Sequence, residues 1–545
     1  MKTMKTINIR TLFHCILICC LLSCGTTILT GCADGEHMDE YQVNNNEKEQ
    51  PEDEPLSDEI SKKLESIPGV SDVEIQLSQK DENVRGYYFY VTQLVDHSDP
   101  SKGTFGQRCF LSFKGNDSPV VLETEGYHMV DSLDNIFAGD LPVYLNANYL
   151  AIEHRYFGKS LPEPYEDIDF TYLYTDQAAA DLHAIVTLMQ KHLFPRKNKW
   201  VATGTSKGGI TTTLYAYYSD MYGWDDIDLY VPFCAPFITG TKEACVNDII
   251  GQYILTTCGN GYPKGSIEDE ARQRLLAIPA AICTNETLRD ACLARFHVND
   301  PNYYTEIYES YQGEQLEKAA TAGVISTFYQ NLFDKFSAIQ YSRWASYVPD
   351  PIKAIVPTAT DEDIYNVVDF VFLDNKELEK RINKQTSASL RSVMSDQDLL
   401  KMRTEDPTMP YYVQAARELG SYTFNYSMVD GTWLTPQFAY EVGYMECVDS
   451  RFCGRYQGQW DGGKLMTDVR NWSLTVSSKP IIFIYSYNDP WTGAAISDSA
   501  ADPSRKVWKV INLIGTHTPC FLDKSLCDEQ ASKTIKDAIY TVLGL

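Results

Sequence analysis

The sequence predicts an α/β protein, a parallel sheet flanked by helices, into which a large and mainly helical block is inserted. Three observations carry this. Short apolar runs alternate with a helical pattern between residues 149 and 218 and meet in a glycine-rich turn. Residues 240–435 hold long charged helical runs and few strand signals. Strand character then returns at 479–485 and 507–511. The 545 residues suit two to four domains, or one large core with an insertion, at roughly 100–200 residues per domain.

The chain opens with Lys2, Lys5 and Arg10 ahead of a mostly apolar stretch from Leu12 to Leu29. A positive segment followed by an apolar one reads as a secretory signal over residues 1–32. It ends in Leu29-Thr30-Gly31-Cys32, which resembles the bacterial lipobox and implies a diacylated Cys32 as the lipidation site. Leu22-Ser23-Cys24 is a poorer match to the same pattern. The expected address is therefore an exported lipoprotein of the cell envelope, held to the membrane by its lipid without spanning it. Residues 33–60 carry eleven acids against one lysine and few apolar residues, so they read as a disordered, solvated tether. Of 15 cysteines, five lie in the signal and lipobox, and the remaining ten suggest up to five disulfides in an exported protein. Pairs close in sequence are 283/292, 447/453 and 520/527.

The first part of the core is expected over 61–239. Tyr87–Val91 and Arg108–Phe113 are rich in aromatic and β-branched residues. Val120–Leu122 and Tyr149–Ile152 are short apolar runs, as expected of strands buried on both faces. Asp176–His192 places Ala179, Leu182, Ile185, Val186 and Met189 at helical spacing and stops before Pro195. Trp200–Ala202 is a further strand, followed by Gly204-Thr205-Ser206-Lys207-Gly208-Gly209 and a helical run to Tyr218. The helical cap is expected over 240–435, with runs at 267–276, 314–336, 377–384 and 387–402, and the second part of the core over 436–545.

The turn at 204–208 matches G-x-S-x-G. A nucleophile on a sharp strand-to-helix turn needs small neighbours two residues to either side, and the helix N-terminus behind it favours developing negative charge. Chance alone yields the pattern about one time in five in a chain of this length, so its placement between a strand and a helix is what gives it weight. In α/β-hydrolase order the acid and the base follow the serine. Two histidines do, His297 and His517; His297 falls in the helical block, whereas His517 lies in a loop just beyond the strand at 507–511. Asn488-Asp489-Pro490-Trp491 follows the strand at 481–485, which makes Asp489 the candidate acid, with Asp498 and Asp502 in the same connection as alternatives. The expected catalytic set is Ser206, Asp489 and His517. The oxyanion would be held by the backbone N–H of Lys207 and by a second from the 154–160 loop, at Phe157 or Tyr156. His154 reads as a buried, hydrogen-bonded histidine, and Arg155 as the partner of Glu153 or another carboxylate.

Glu153-His154-Arg155-Tyr156-Phe157-Gly158-Lys159-Ser160-Leu161-Pro162, Thr203–Gly209 and Asn488–Trp491 together resemble the secreted bacterial tripeptidyl aminopeptidases. These serine peptidases are related to the lysosomal Pro-X carboxypeptidases and dipeptidyl peptidases. The Ser-Lys-Gly-Gly turn points to the bacterial group, and Gln414–Gly420 resembles a cap-to-core segment seen across the clan. Thr516–Cys520 is only loosely similar to the family's glycine-rich histidine loop. The resemblance spans residues 85–545 and implies an α/β-hydrolase fold and release of tripeptides from a free N-terminus, often with Pro before the cleaved bond. Cleavage from a chain end asks for a roof, which the helical block can supply, and for a carboxylate to hold the substrate ammonium. Glu418 is the candidate anchor and Trp491 a candidate wall for an apolar subsite.

The expected partners are peptide substrates and, through the lipid, a membrane. With 47 basic against 74 acidic residues the formal charge is −27, which excludes nucleic acid as a general partner. No C-x-x-C or H-E-x-x-H occurs, and the chemistry calls for no metal or cofactor. An esterase or lipase built on the same three residues, or a nutrient-binding lipoprotein using its 36 tyrosines, are the competing readings.

Overall fold

The computed structural model describes residues 57–80, 84–135, 139–162, 168, 170–237, 279–299, 312–337, 409–420, 432–433, 461–475, 477–487, 489–515, 517 and 520–545. Cys32, most of the tether, the runs at 267–276, 377–384 and 387–402, and Cys447/Cys453 lie outside these residues.

The first described element lies inside the acidic segment. Asp58 caps helix α1 (Glu59–Glu65), its carboxylate accepting from Ile60 N–H and Ser61 N–H while the Ser61 hydroxyl accepts from Asp58 N–H. Residues 58–60, inside the segment expected to be a tether, are therefore part of a capped helix. The capping carboxylate also accepts from Tyr87 and pairs with Arg85, tying α1 to the sheet.

Nine strands form one sheet: β1 (Val70–Leu77), β2 (Arg85–Leu94), β3 (Thr104–Ser112), β4 (Val120–Thr124), β5 (Asn148–Ile152), β6 (Trp200–Thr205), β7 (Leu229–Phe233), β8 (Ile481–Ser486) and β9 (Val507–Asn512). Their spatial order is β1-β2-β3-β5-β4-β6-β7-β8-β9. β1, β2, β3 and β5 pair antiparallel, and every pair from β5/β4 onward is parallel. β5, β6, β7 and β8 are almost wholly buried, which explains their unbroken apolar runs.

The period of two sorts side chains onto two faces. Val120, Leu122, Leu150, Ala202, Ile481 and Phe483 meet helices α3 (Thr175–His192) and α4 (Lys207–Tyr222). Val121, Tyr149, Val201, Val231, Ile482 and Val510 share a cluster with α2 (Asp140–Leu145), through Leu141 and Leu145, and with the C-terminal helix, Glu529–Leu543, through Ile535, Ile539 and Leu543. Helices thus cover both faces of a largely parallel sheet whose fourth and fifth strands are exchanged in space. This is an α/β-hydrolase fold.

Between β7 and β8 the described residues hold helices and no strand: α5 (Glu286–Asn299), α6 (Glu314–Ser337), α7 (Met409–Gln414), a π turn at Ala415–Leu419, and α8 (Lys464–Thr475). α5, α6 and α7 bear out the helical character expected of the inserted cap. α8 returns to the core, where Met466, Val469 and Trp472 join the cluster around α4. Two of the close cysteine pairings are not formed: Cys283 and Cys527 are free thiols. Both are buried, and Cys527 packs in the cluster beneath the C-terminal helix.

Candidate active site

The glycines around Ser206 are set by crowding. A Cβ on Gly204 would lie 2.5 Å from the Gly208 carbonyl oxygen, and one on Gly208 would lie 2.9 Å from Thr124 O. One on Gly209 would lie 2.7 Å from Phe233 O. Ser206 sits between β6 and α4 with φ 58° and ψ −121°, a conformation costing roughly 1–3 kcal/mol that its surroundings must impose. They do so through Ser206 N–H, which donates to Phe233 O at 2.9 Å, and Ile210 N–H, which donates to Ser206 O at 3.0 Å. Thr124 at the end of β4 braces the turn, its hydroxyl 3.0 Å from Gly208 O and 2.7 Å from the Thr212 hydroxyl.

Asp489 and His517 are brought together. Asp489 follows β8 and is fully buried. Its Oδ1 accepts from Trp491 N–H at 3.1 Å, and its Oδ2 lies 2.8 Å from His517 Nδ1. An anionic acceptor there keeps the imidazole proton on Nδ1 and leaves Nε2 as the basic nitrogen. The competing acids are elsewhere: Asp498 is 89% exposed and pairs with Lys509, and Asp502 is 41% exposed and pairs with Arg505. His297 lies on α5. The serine turn reaches the pair through β7. Ser206 is bonded to Phe233, and the sulfur of the next residue, Cys234, lies within 4.8 Å of both the Asp489 carboxylate and the His517 ring.

The expected second oxyanion donor needs correcting. Tyr156 N–H donates to Ser160 O at 2.8 Å and Phe157 N–H to His154 O at 3.1 Å, so both are committed to their own turn. The reason is strand order. The 154–160 loop follows β5, but β4 lies between β5 and β6, so the loop leaving β4 is the one against the serine turn. Gly126 in that loop packs so closely that a Cβ would sit 2.5 Å from Gly208 N. Gly126 two residues beyond the run at 120–124 was the available signal. Beside it, burial and then Glu153 push the Glu125 carboxyl above its ordinary range.

Lys207 N–H is the first of α4 and has no partner within the helix. Its buried side chain turns away, donating to Gly126 O at 2.6 Å and lying over the Tyr127 and Phe157 rings. Burial lowers its pKa to about 7. His154 is a satisfied core histidine: Nδ1 donates to Arg155 O at 2.8 Å, and burial, with Lys207 adding to it, holds it neutral. Arg155 pairs with Asp181 rather than Glu153, through Nε and Nη2 at 2.7 Å each. Glu153 instead accepts from Met129 N–H, Lys159 N–H and the Ser160 hydroxyl, fixing the same loop from the other side.

Glu418, in the π turn, accepts from Thr175 N–H at 2.8 Å and so caps α3. Burial, opposed by the Thr175 bond and reinforced by Asp176, raises it to about 7. It also lines an open cavity of about 510 Å³ with Asp96, Asp176 and several tyrosines. Trp491 is half-buried, its ring 6.4 Å from that of His517.

The PS-10 peptidase S37 family model matches residues 53–372, more than half of the chain. This chain belongs to that family. A prolyl tri/tetrapeptidyl aminopeptidase of Streptomyces mobaraensis is 26% identical over 441 residues, covering 80% of this chain and 75% of the relative. A serine protease, vicPb, of Bipolaris victoriae (strain FI3) is 24% identical over 209 residues, 34% of this chain and 38% of its own. Among solved structures, a mutant of the rice cell wall degrading esterase LipA from Xanthomonas oryzae has a TM-score of 0.33 at 11% identity, covering 88% of this chain and 98% of that one. Membership in the S37 peptidases makes the chain a serine peptidase.

Proposed function

We propose that this S37 peptidase is an exported lipoprotein, acylated at Cys32, that releases tripeptides from the free N-termini of oligopeptides and favours Pro before the cleaved bond. The observation that carries the catalytic reading is the buried Asp489–His517 hydrogen bond at the sheet end that also holds the strained Ser206 turn. His517 Nε2 takes the Ser206 proton as the hydroxyl oxygen attacks the substrate carbonyl. It then delivers that proton to the leaving amine, and water releases the acyl group by the same steps in reverse. Asp489 holds the imidazole tautomer and stabilises the imidazolium. Lys207 N–H and an N–H at Gly126 or Tyr127 receive the oxyanion.

Glu418 is proposed to hold the substrate ammonium, and Trp491 to wall the subsite for proline. The Streptomyces mobaraensis relative, named for prolyl tri- and tetrapeptides, supports the substrate class. The test is incubation with unblocked and N-acetylated peptides, with the products read by mass spectrometry. Three-residue fragments from the unblocked peptide alone are expected, with fluorophosphonate labelling lost in Ser206→Ala. Equal cleavage of the two peptides would remove the exopeptidase reading and leave a general serine hydrolase.

A further inference from the structure

The strands that carry the acid and the base bring a third group to them. Cys234 follows β7, is almost fully buried, and is held at φ 49° with its N–H donating to Ile484 O at 2.7 Å. Its sulfur, a carboxylate oxygen of Asp489 and a ring nitrogen of His517 lie within 4.8 Å of one another. Around a tetrahedral ion bound at ordinary lengths such atoms stand roughly 3.3–3.7 Å apart. Small side-chain rotations therefore convert the cluster into a ligand set. We propose that Cys234, Asp489 and His517 form a site for a thiophilic divalent cation of the zinc or cadmium kind, whose binding shuts the enzyme off.

The chemistry selects the ion. Thiolate, imidazole and carboxylate together suit a borderline-soft cation, whereas magnesium and calcium prefer oxygen ligands throughout. Three protein ligands leave a fourth position for water. The sites come from three distant segments, so no local spacing motif marks them in the sequence.

The steps balance without any redox change. The thiol releases its proton to solvent, and the thiolate lone pair goes to the metal. The nitrogen that Asp489 now holds, Nδ1, gives its lone pair to the metal, and its proton reappears on Nε2 through solvent. Asp489 Oδ2 exchanges its hydrogen bond for a metal bond, while Oδ1 keeps the Trp491 N–H. One proton is released overall. With Nε2 protonated, nothing is left to accept the Ser206 proton. That inhibitory consequence rests on the proposed catalytic reading; the binding itself does not.

The full chain, stripped of metal with a chelator, is titrated with cadmium while thiolate-to-metal charge-transfer absorption is recorded, and zinc inhibition of peptide hydrolysis is measured separately. Wild type and Ser206→Ala are expected to show one equivalent of absorption that Cys234→Ala and His517→Ala both lose. Zinc inhibits wild type reversibly, magnesium does not, and Cys234→Ala, scaled to its own metal-free turnover, needs at least ~10-fold more zinc for the same fractional inhibition. Near-UV circular dichroism checks that each variant is folded. Absorption in a chain that proves to have no peptidase activity still supports the site and counts only against the catalytic reading. Equal zinc sensitivity of wild type and Cys234→Ala, or no absorption lost on removing Cys234 and His517, overturns the proposal.

Discussion

At the scale of single residues, one contact orients the proposed catalytic base and another links folding stability to pH. Asp489 reaches His517 from a fully buried position, so its charge acts through little screening solvent. Asp489→Asn preserves shape but presents an amide that favours the wrong imidazole tautomer. Its kcat should fall on the order of 10³–10⁴-fold with KM little changed, as steady-state kinetics on an unblocked peptide would report. Glu418 acts on stability. Its carboxyl stands at about 7 in the folded chain against an ordinary 4.5, so the folded state holds an extra proton between those values. The associated stability is complete below about 4.5 and is lost as pH rises through about 7. Glu418→Gln keeps an oxygen for Thr175 N–H but cannot ionise. Thermal melts should therefore show the variant more stable than wild type at pH 8 and equal to it near pH 4.5; a gain of the same size at both would refute this account.

At the scale of elements, the serine turn and the strands beneath it separate two kinds of glycine. A methyl on Gly204 runs into the backbone of Gly208, whereas one on Gly223, at the C-terminal cap of α4, meets nothing within 4 Å and carries only the strain of φ 71°. Gly204→Ala should destabilise by about 1–3 kcal/mol and abolish most activity, because relief requires the Ser206 turn to move. Gly223→Ala should cost about 1–2 kcal/mol and leave turnover intact. Denaturant melts with parallel assays would distinguish the two. The same elements show what the sequence could reveal. β4, β5, β6, β8, β9, α3 and the serine turn were legible because buried parallel strands and an amphipathic helix write plain periodicities. β1 was not, since its mixed burial pattern breaks strict alternation, and β7 was not, since Pro232 disguises a strand. Chain order cannot show that β4 lies between β5 and β6, so from the sequence the 154–160 loop looks like the neighbour of the serine turn. Asp489 and His517 could be found because their loops follow strands in the expected sequence, while Cys234 could not, its only signal being proximity in space.

At the scale of the whole molecule, the Asp58 cap and α1 belong to the folded unit together with the first strand. Leu64 and Ile67 are buried in the core cluster that includes β2 and β3. A chain starting at residue 57 should melt at the same temperature as the full-length protein and match its turnover. One starting at residue 69 loses α1, its tie to Tyr87 and two core side chains, and should melt several degrees lower. Differential scanning calorimetry on the two truncations would show whether α1 is part of the fold or an ornament on the tether. Net charge does not bear on this comparison, because the two truncations carry formal charges of −22 and −21.

The β7–β8 seam pairs Tyr230 with Ile481 and Phe233 with Ile484, joining chain from before the helical block to chain from after it. Ser206 stands on one side of that seam and both Asp489 and His517 on the other. A single cut anywhere in the intervening block would therefore put the proposed nucleophile and its proposed proton acceptor on two different polypeptides, held in register by strand pairing and by the layers above and below. Such a protein lends itself to being supplied as two halves, with hydrolysis appearing only when they meet.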